Sequence, residues 1–239
     1  LRLARERVNF VNQVSHELKT PLTSIRMYAE LLEDNLPEED DDNRHFLKVI
    51  TLESQRLSRL ISNVLTFAGL NRQSHRLRLS GGSVDRVIEE VIATCRPHLE
   101  SRSICIEFAG NAKEVVELDA DLLGQVLHNL FSNIEKYAAE GEKAVIKSEQ
   151  TPGWTLITVQ DYGPGIPAEH AQSVFEPFYR GSDKVTDGVA GTGIGLNIAR
   201  QLARLHGGEL ALKPSDTGAC FELQLLTPKM DKSDEDSDS

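Results

Sequence analysis

An α-helical hairpin followed by an α+β sandwich is the fold class that this 239-residue sequence predicts. Three observations carry it. Up to about residue 68 apolar residues recur at steps of three and four, whereas beyond residue 77 helical periods are interleaved with alternating, strand-like runs. Between the two regions Asn71-Arg72-Gln73-Ser74-His75-Arg76 is wholly polar, as a link between domains is. The length suits two cores better than one. The expected units are a helical domain over 1–72, a second domain over 77–228 and a disordered acidic tail over 229–239.

The first helix is read from Phe10, Val14, Leu18, Leu22, Ile25, Ala29 and Leu32, one apolar stripe about as long as a bundle helix. Leu36-Pro37 and the acidic run Glu38-Glu39-Asp40-Asp41-Asp42 stop it. A second periodic stretch begins near Asn43 and runs through Phe46, Val49, Ile50, Leu57 and Ile61. Two long helices on a short loop make an antiparallel hairpin. One hairpin cannot cover both apolar stripes, so pairing with a second copy into a dimeric four-helix bundle is expected.

After the link, 77–79 alternates like a short strand and 84–99 has helical period. Residues 104–108 and 115–118 read as strands around a Gly110-Asn111 turn. Either Asp119 or Asp121 caps the following helix, which carries Leu122, Val126, Leu130 and Ile134. Strands over 144–149 and 154–160 flank Thr151-Pro152-Gly153, a helix spans about 193–205, and strands over 209–212 and 220–226 close the domain. Helices interleaved with hairpins imply helices packed on one face of a mixed sheet.

Composition narrows the function. Hydrophobic content of 39% and charged content of 26% describe a soluble globular protein. No run of about 18 apolar residues exists, so no membrane contact is expected of this fragment. A net charge of −11 argues against nucleic acid as a partner, because neutralising phosphates takes clustered Lys and Arg. Cys95, Cys105 and Cys220 are an odd number without metal-type spacing; each lies in an apolar run and is expected to be a buried free thiol in a reducing compartment. The chain begins at Leu1 inside helix-like sequence and is read as a piece whose upstream part is missing.

Chemistry concentrates in four stretches. Ser15-His16-Glu17-Leu18-Lys19-Thr20-Pro21-Leu22 places an imidazole, a carboxylate and a hydroxyl within two helical turns. His16 and Thr20 share a face, and Glu17 lies about 100° round, within reach of an imidazole nitrogen. Pro21 costs ~3 kcal/mol in a helix interior, bends the helix and frees the carbonyl of Glu17. A solvated face is the bland alternative for such a histidine taken alone. Farther on, Asn129, Asn133, Lys136 and Tyr137 form a polar ridge opposite Leu127, Leu130 and Ile134; amide oxygens suit Mg²⁺ and a lysine suits phosphate.

Asp161-Tyr162-Gly163-Pro164-Gly165 follows a strand directly, where a carboxylate accepts from an exocyclic amine such as that of adenine and glycines let the backbone approach a flat ring. Gly188 to Ala199 runs a glycine loop into a helix N-terminus, which favours a phosphate chain. Its G-x-G-x-G spacing at Gly191, Gly193 and Gly195 matches neither the dinucleotide fingerprint nor the P-loop.

The order and spacing of these pieces resembles the sensor histidine kinases of two-component signalling. Ser15 to Leu22 is similar to their phosphoacceptor box, Asn129 to Tyr137 to the N box, Asp161 to Gly165 to the G1 box, Val174-Phe175-Glu176-Pro177-Phe178-Tyr179-Arg180 to the F box, and Gly191 to Leu196 to the G2 box. The likeness runs from about residue 5 to 226. It implies a dimerisation and histidine phosphotransfer hairpin followed by a Bergerat-type ATP-binding domain, shared with gyrase and the heat-shock-90 chaperones. It further implies that His16 attacks the γ-phosphate of ATP and that Glu17 deprotonates it. Asn133 would hold Mg²⁺, with Asn129, Lys136 and Tyr137 beside phosphates and ribose. Asp161, Gly163 and Gly165 would form the adenine pocket, and Gly191, Thr192, Gly193, Gly195 and Leu196 the phosphate loop. Residues 181–190 would be a lid, with Arg180 at its start touching either phosphate or a structural partner. Ile134-Glu135 departs from the usual small-then-apolar pair, so Ile134 either crowds the pocket or turns to the core.

The resemblance also implies transfer from phosphohistidine to an aspartate on the receiver domain of a response regulator, with Glu17 and Thr20 serving the reverse, phosphatase activity. A cytoplasmic kinase core follows; many relatives are anchored in a membrane, and whether the full-length protein is too stays open at the sequence level. Two alternatives from other classes are a nucleotide-binding pseudokinase scaffold and an ATPase or chaperone-like machine on the same nucleotide fold. Absence of His-Arg-Asp and Asp-Phe-Gly sequences excludes the eukaryotic-type protein kinases.

Overall fold

Contacts divide the chain into two units, Leu1–His75 and Arg76–Ser239. The computed structural model describes residues 22, 23, 25–32, 43, 46, 47, 49–51, 54, 57, 58, 61–63, 66, 77–179 and 193–230. Every described residue of the first unit is helical. Its apolar stripes are only partly covered within one chain. Leu22, Ala29, Leu47 and Ile61 are buried, while Ile25, Tyr28, Leu32, Phe46 and Leu57 are half exposed or nearly so. The loop expected at 36–42 lies outside the described residues. Among those described, no helix is long and apolar enough to cross a membrane.

The second unit is an α/β sandwich. Strand β1 (Ser80–Ser83) leads into helix α1 (Val84–Glu100), then β2 (Cys105–Ala109) and β3 (Val115–Leu118). Helix α2 (Ala120–Tyr137) is followed by β4 (Lys143–Thr151) and β5 (Gly153–Asp161); helix α3 (Gly195–Leu205), β6 (Glu209–Lys213) and β7 (Cys220–Thr227) complete it. The main sheet has the order β2-β4-β5-β7-β6, parallel only between β2 and β4. A small antiparallel pair, β1-β3, stands apart from it.

Register explains the core. Phe108, Ile146, Val159, Phe221 and Leu212 are successive partners across the five strands and share one face. Ile157, Leu223 and Leu210 form a second inward row, each fully buried. The helices meet this face with Val84, Ile88 and Ile92 of α1, Leu123, Val126 and Leu127 of α2, and Ile198 and Leu202 of α3, all buried. Each such side chain contributes roughly 1.5–3 kcal/mol. Ile134 is one of them, 2% exposed, so it turns to the core and does not crowd a pocket.

Several expectations need correction. The strand expected at 77–79 begins instead at Ser80, where pairing with Leu118 starts; upstream, the Arg78 N–H donates to Asp119 Oδ2 at 2.8 Å. The stretches 104–108 and 115–118 do not form a hairpin: β2 pairs with β4, and β3 with β1. The intervening turn is drawn down by Asp85 of α1, whose Oδ2 accepts from the Ala112 N–H at 3.0 Å and whose Oδ1 accepts from Ser148 Oγ. The acidic tail was expected from residue 229, yet Lys229 bridges Val116 and pairs with Glu114 at 2.9 Å, and Met230 packs on Gly81.

The three thiols are free but not buried: Cys95 and Cys220 are half-buried and Cys105 is exposed. Strand alternation sends Cys105 and Cys220 outward while Ile106 and Phe221 take the core positions. The hairpin of β4 and β5 turning at 151–153 agrees with expectation, as do the ends of α1 to within about two residues.

Candidate functional site

Helix α2 starts on Asp119, not Asp121: Asp119 Oδ1 accepts from the Leu122 N–H at 3.0 Å. The Asp119 N–H in turn donates to His206 Nε2 at 3.1 Å, at the end of α3, so the two helices are pinned together at this corner. With its start fixed, α2 presents Asn129, Asn133, Lys136 and Tyr137 in the expected ridge. Asn129 is buried, Asn133 half-buried, and Lys136 and Tyr137 exposed. Asn129 Oδ1 would lie 3.3 Å from a Cβ placed on Gly195, so the ridge meets the first residue of α3. Among the described residues no side chain caps α3, whose cap position is held by Ile194.

Asp161 ends β5 and is 7% exposed. Its Oδ1 accepts from the Gly163 N–H at 3.0 Å and the Ala219 N–H at 2.9 Å. No described residue donates to Oδ2, which leaves one oxygen for an outside donor. Burial pushes the Asp161 carboxyl above the usual aspartate range, and the two N–H bonds only partly hold it down. The turn before β7 comes so close that a Cβ on Gly218 (φ 65°) would stand 2.0 Å from the Asp161 carbonyl oxygen, so only glycine fits there. Gln160 Nε2 fastens the same turn by donating to Thr217 O at 2.6 Å.

Asn129, Asn133, Lys136, Tyr137, Asp161, Gly163, Gly165, Gly193, Gly195 and Leu196 thus belong to one unit, on α2, the end of β5 and the start of α3. His16, Glu17, Thr20, Arg180, Gly191, Thr192 and the expected lid at 181–190 lie outside the described residues. Gly218, Ala219 and Gln160 were missed; the signal for them was a Thr-Gly-Ala turn directly before a strand, unremarkable without its contact to Asp161. Among the described residues no group of three or more acidic, His or Cys side chains could hold a metal. The half-buried amide of Asn133 could serve a divalent cation as one neutral oxygen ligand, with phosphate oxygens and water supplying the others.

The second unit thus combines a helix-backed mixed sheet, a strand-end carboxylate with one oxygen that no described residue donates to, and an amide ridge that meets the start of a helix. Residues 118–229 match the family described as histidine kinase-, DNA gyrase B- and HSP90-like ATPase, and residues 6–73 match the His Kinase A phospho-acceptor domain. The two matches together make the chain a histidine kinase core, a phospho-acceptor domain followed in sequence by a domain of the ATPase family.

Sensor protein SrrB of Staphylococcus aureus is 29% identical over 222 residues, which cover 92% of this chain and 38% of SrrB. The chain therefore spans well under half of such relatives. Among solved structures, the catalytic domain of histidine kinase ThkA is 27% identical with a TM-score of 0.56, covering 64% of this chain and 97% of that one. Full-length ShkA, solved in complex with AMPPNP, shares the fold at 24% identity and a TM-score of 0.70, over 93% of this chain and 46% of ShkA.

Proposed function

We propose that the chain is a kinase core in which His16 takes the γ-phosphoryl group of ATP and passes it to an aspartate on the receiver domain of a response regulator. An imidazole nitrogen bonds to the γ-phosphorus as the bond to the β,γ-bridging oxygen breaks; ADP leaves and Glu17 takes the imidazole proton. Asp161 Oδ2 accepts from the adenine amine, and Gly163 and Gly165 shape that pocket. Asn129, Lys136 and Tyr137 flank phosphates and ribose, while Arg180, Gly191, Thr192, Gly193, Gly195 and Leu196 surround the phosphate chain. Asn133 is the residue that would hold Mg²⁺, whose charge, when bound, offsets that of the phosphates. In the reverse direction Thr20 positions water against the regulator's phosphoaspartate.

The observation that carries this reading is the divided duty of the Asp161 carboxylate, one oxygen committed to backbone and the other met by no donor among the described residues. AMPPNP, the ligand of the ShkA complex, is an ATP analogue, which supports the same ligand class. The partly exposed apolar stripes of the helical unit support a homodimer. The domain bounds 1–72 and 77–228 and a cytoplasmic setting, where ATP and the regulator are found, go with this reading. The test is incubation with γ-labelled ATP and Mg²⁺. Label should appear on the protein, survive base but not acid, and vanish in His16→Gln; wild-type protein that takes up no label would overturn the proposal.

A further inference from the structure

We infer that His170 is a positioning residue for the phosphate end of the nucleotide site. Through Tyr179 it ties the strap that follows Asp161 to the turn that opens α3. The inference rests on the nucleotide-site reading above.

The turn comes first. Gly193 has φ 69°, and a Cβ there would meet the Phe178 carbonyl carbon and Tyr179 carbonyl oxygen at 2.9 Å. The backbone of 178–179 is therefore a floor on which Gly193 rests. The Phe178 N–H donates to Gly193 O at 2.9 Å, and Asn197 Nδ2, in the first turn of α3, donates to Phe175 O at 2.8 Å. Any shift of 178–179 moves the start of the helix whose first N–H groups face the phosphates.

That floor is held under strain. Phe178 sits at φ 66°, a conformation that a residue with a side chain keeps only when its surroundings over-determine it. Phe178 as a whole is 68% exposed. Tyr179 is the adjoining anchor: its Oη lies 2.6 Å from His170 Nδ1, and the two rings are tilted at 50° with centroids 5.9 Å apart. His170 Nε2 lies 3.5 Å from Glu169 Oε1, which favours a proton on Nε2 and leaves Nδ1 to accept from the tyrosine hydroxyl.

His170 belongs to the strap that leaves Asp161: it closes the short turn 168–170, its N–H donating to Pro167 O at 2.9 Å. One side-chain hydrogen bond thus spans the two halves of the site. Nothing in this arrangement puts His170 on the nucleotide; it acts through Tyr179 and Gly193.

The test uses the whole chain and three variants, His170→Phe, Tyr179→Phe and the double variant, titrated with ADP and with adenosine in competition with a fluorescent ATP analogue. Each single variant should weaken ADP binding by about three- to tenfold, the worth of one hydrogen bond, and adenosine binding by less than about twofold. The double variant should be no weaker than the singles, because both remove the same bond. Unchanged ADP affinity, an equal loss for adenosine, or losses that multiply in the double variant would each overturn the inference. If the wild-type chain binds neither ligand, the nucleotide-site reading itself fails and this inference falls with it. Should His170→Phe not fold, as judged by circular dichroism, Tyr179→Phe alone decides the matter, since it deletes a single oxygen.

Discussion

Asp161 and Ala219 exchange two hydrogen bonds: the Asp161 N–H donates to Ala219 O at 3.0 Å, and the Ala219 N–H donates to Asp161 Oδ1 at 2.9 Å. The partners are 58 residues apart, one ending β5 and the other directly preceding its neighbour β7. The carboxylate is thus oriented by backbone and held without a cationic partner among the described residues, which suits a group meant to meet a ligand's amine.

Replacing Asp161 by Asn should abolish most nucleotide binding without unfolding the chain. An amide has one oxygen: with that oxygen held by the Gly163 and Ala219 N–H groups, its NH₂ takes the place of Oδ2 and opposes the proposed ligand amine, donor against donor. Affinity for ATP should fall at least tenfold, the scale of a hydrogen bond to a charged group. Stability should hold or rise. Because the folded carboxyl titrates above the usual aspartate range, ionising it costs folding energy as pH rises from the unfolded value through the folded one. Asn removes that cost. Titration with ATP and a thermal melt of the apo variant check both halves; in the wild type, affinity should decline as pH falls through the raised pKa.

Glu209 carries a different pH dependence. Burial alone would raise its pKa, but hydrogen bonds from Arg200 Nε at 2.6 Å and Arg204 Nε at 2.9 Å together outweigh that and hold it below the usual glutamate range. A depressed folded pKa means stability that is present above the unfolded value and lost as pH falls through the folded one. The cluster is partly exposed, so its contribution is discounted to about 1 kcal/mol. Urea unfolding of Glu209→Gln against wild type should show that gap at neutral pH, and the gap should close in acid.

Asp119→Ala should cost more, roughly 2 kcal/mol. It removes the cap of α2 and also leaves the Arg78 N–H without its acceptor. The Asp119 N–H to His206 Nε2 bond depends on that same corner. Nucleotide affinity should therefore drop together with the melting temperature, a coupled loss that calorimetry and ligand titration measure side by side.

The sequence by itself determined the two-unit plan, the helices with one apolar stripe, the β4–β5 hairpin and which polar and glycine residues gather at the candidate site. Those features are local: periods of 3.6 and 2.0 follow from backbone geometry, and Asp161 with its two glycines sits within five residues. Only the tertiary structure decided which strands are partners. β2 and β3, adjacent in sequence, separate because each finds a better-matched neighbour, and no periodicity encodes that choice. It likewise decided that Asp119 rather than Asp121 caps α2, since the selecting contacts come from Arg78 and His206, at distances of 41 and 87 residues along the chain. The thiols were misplaced inside because an apolar run does not say which of its alternating positions faces the helices. Gly218, Ala219 and His170 stayed silent for the same reason: a short polar turn acquires meaning only from what the fold sets against it.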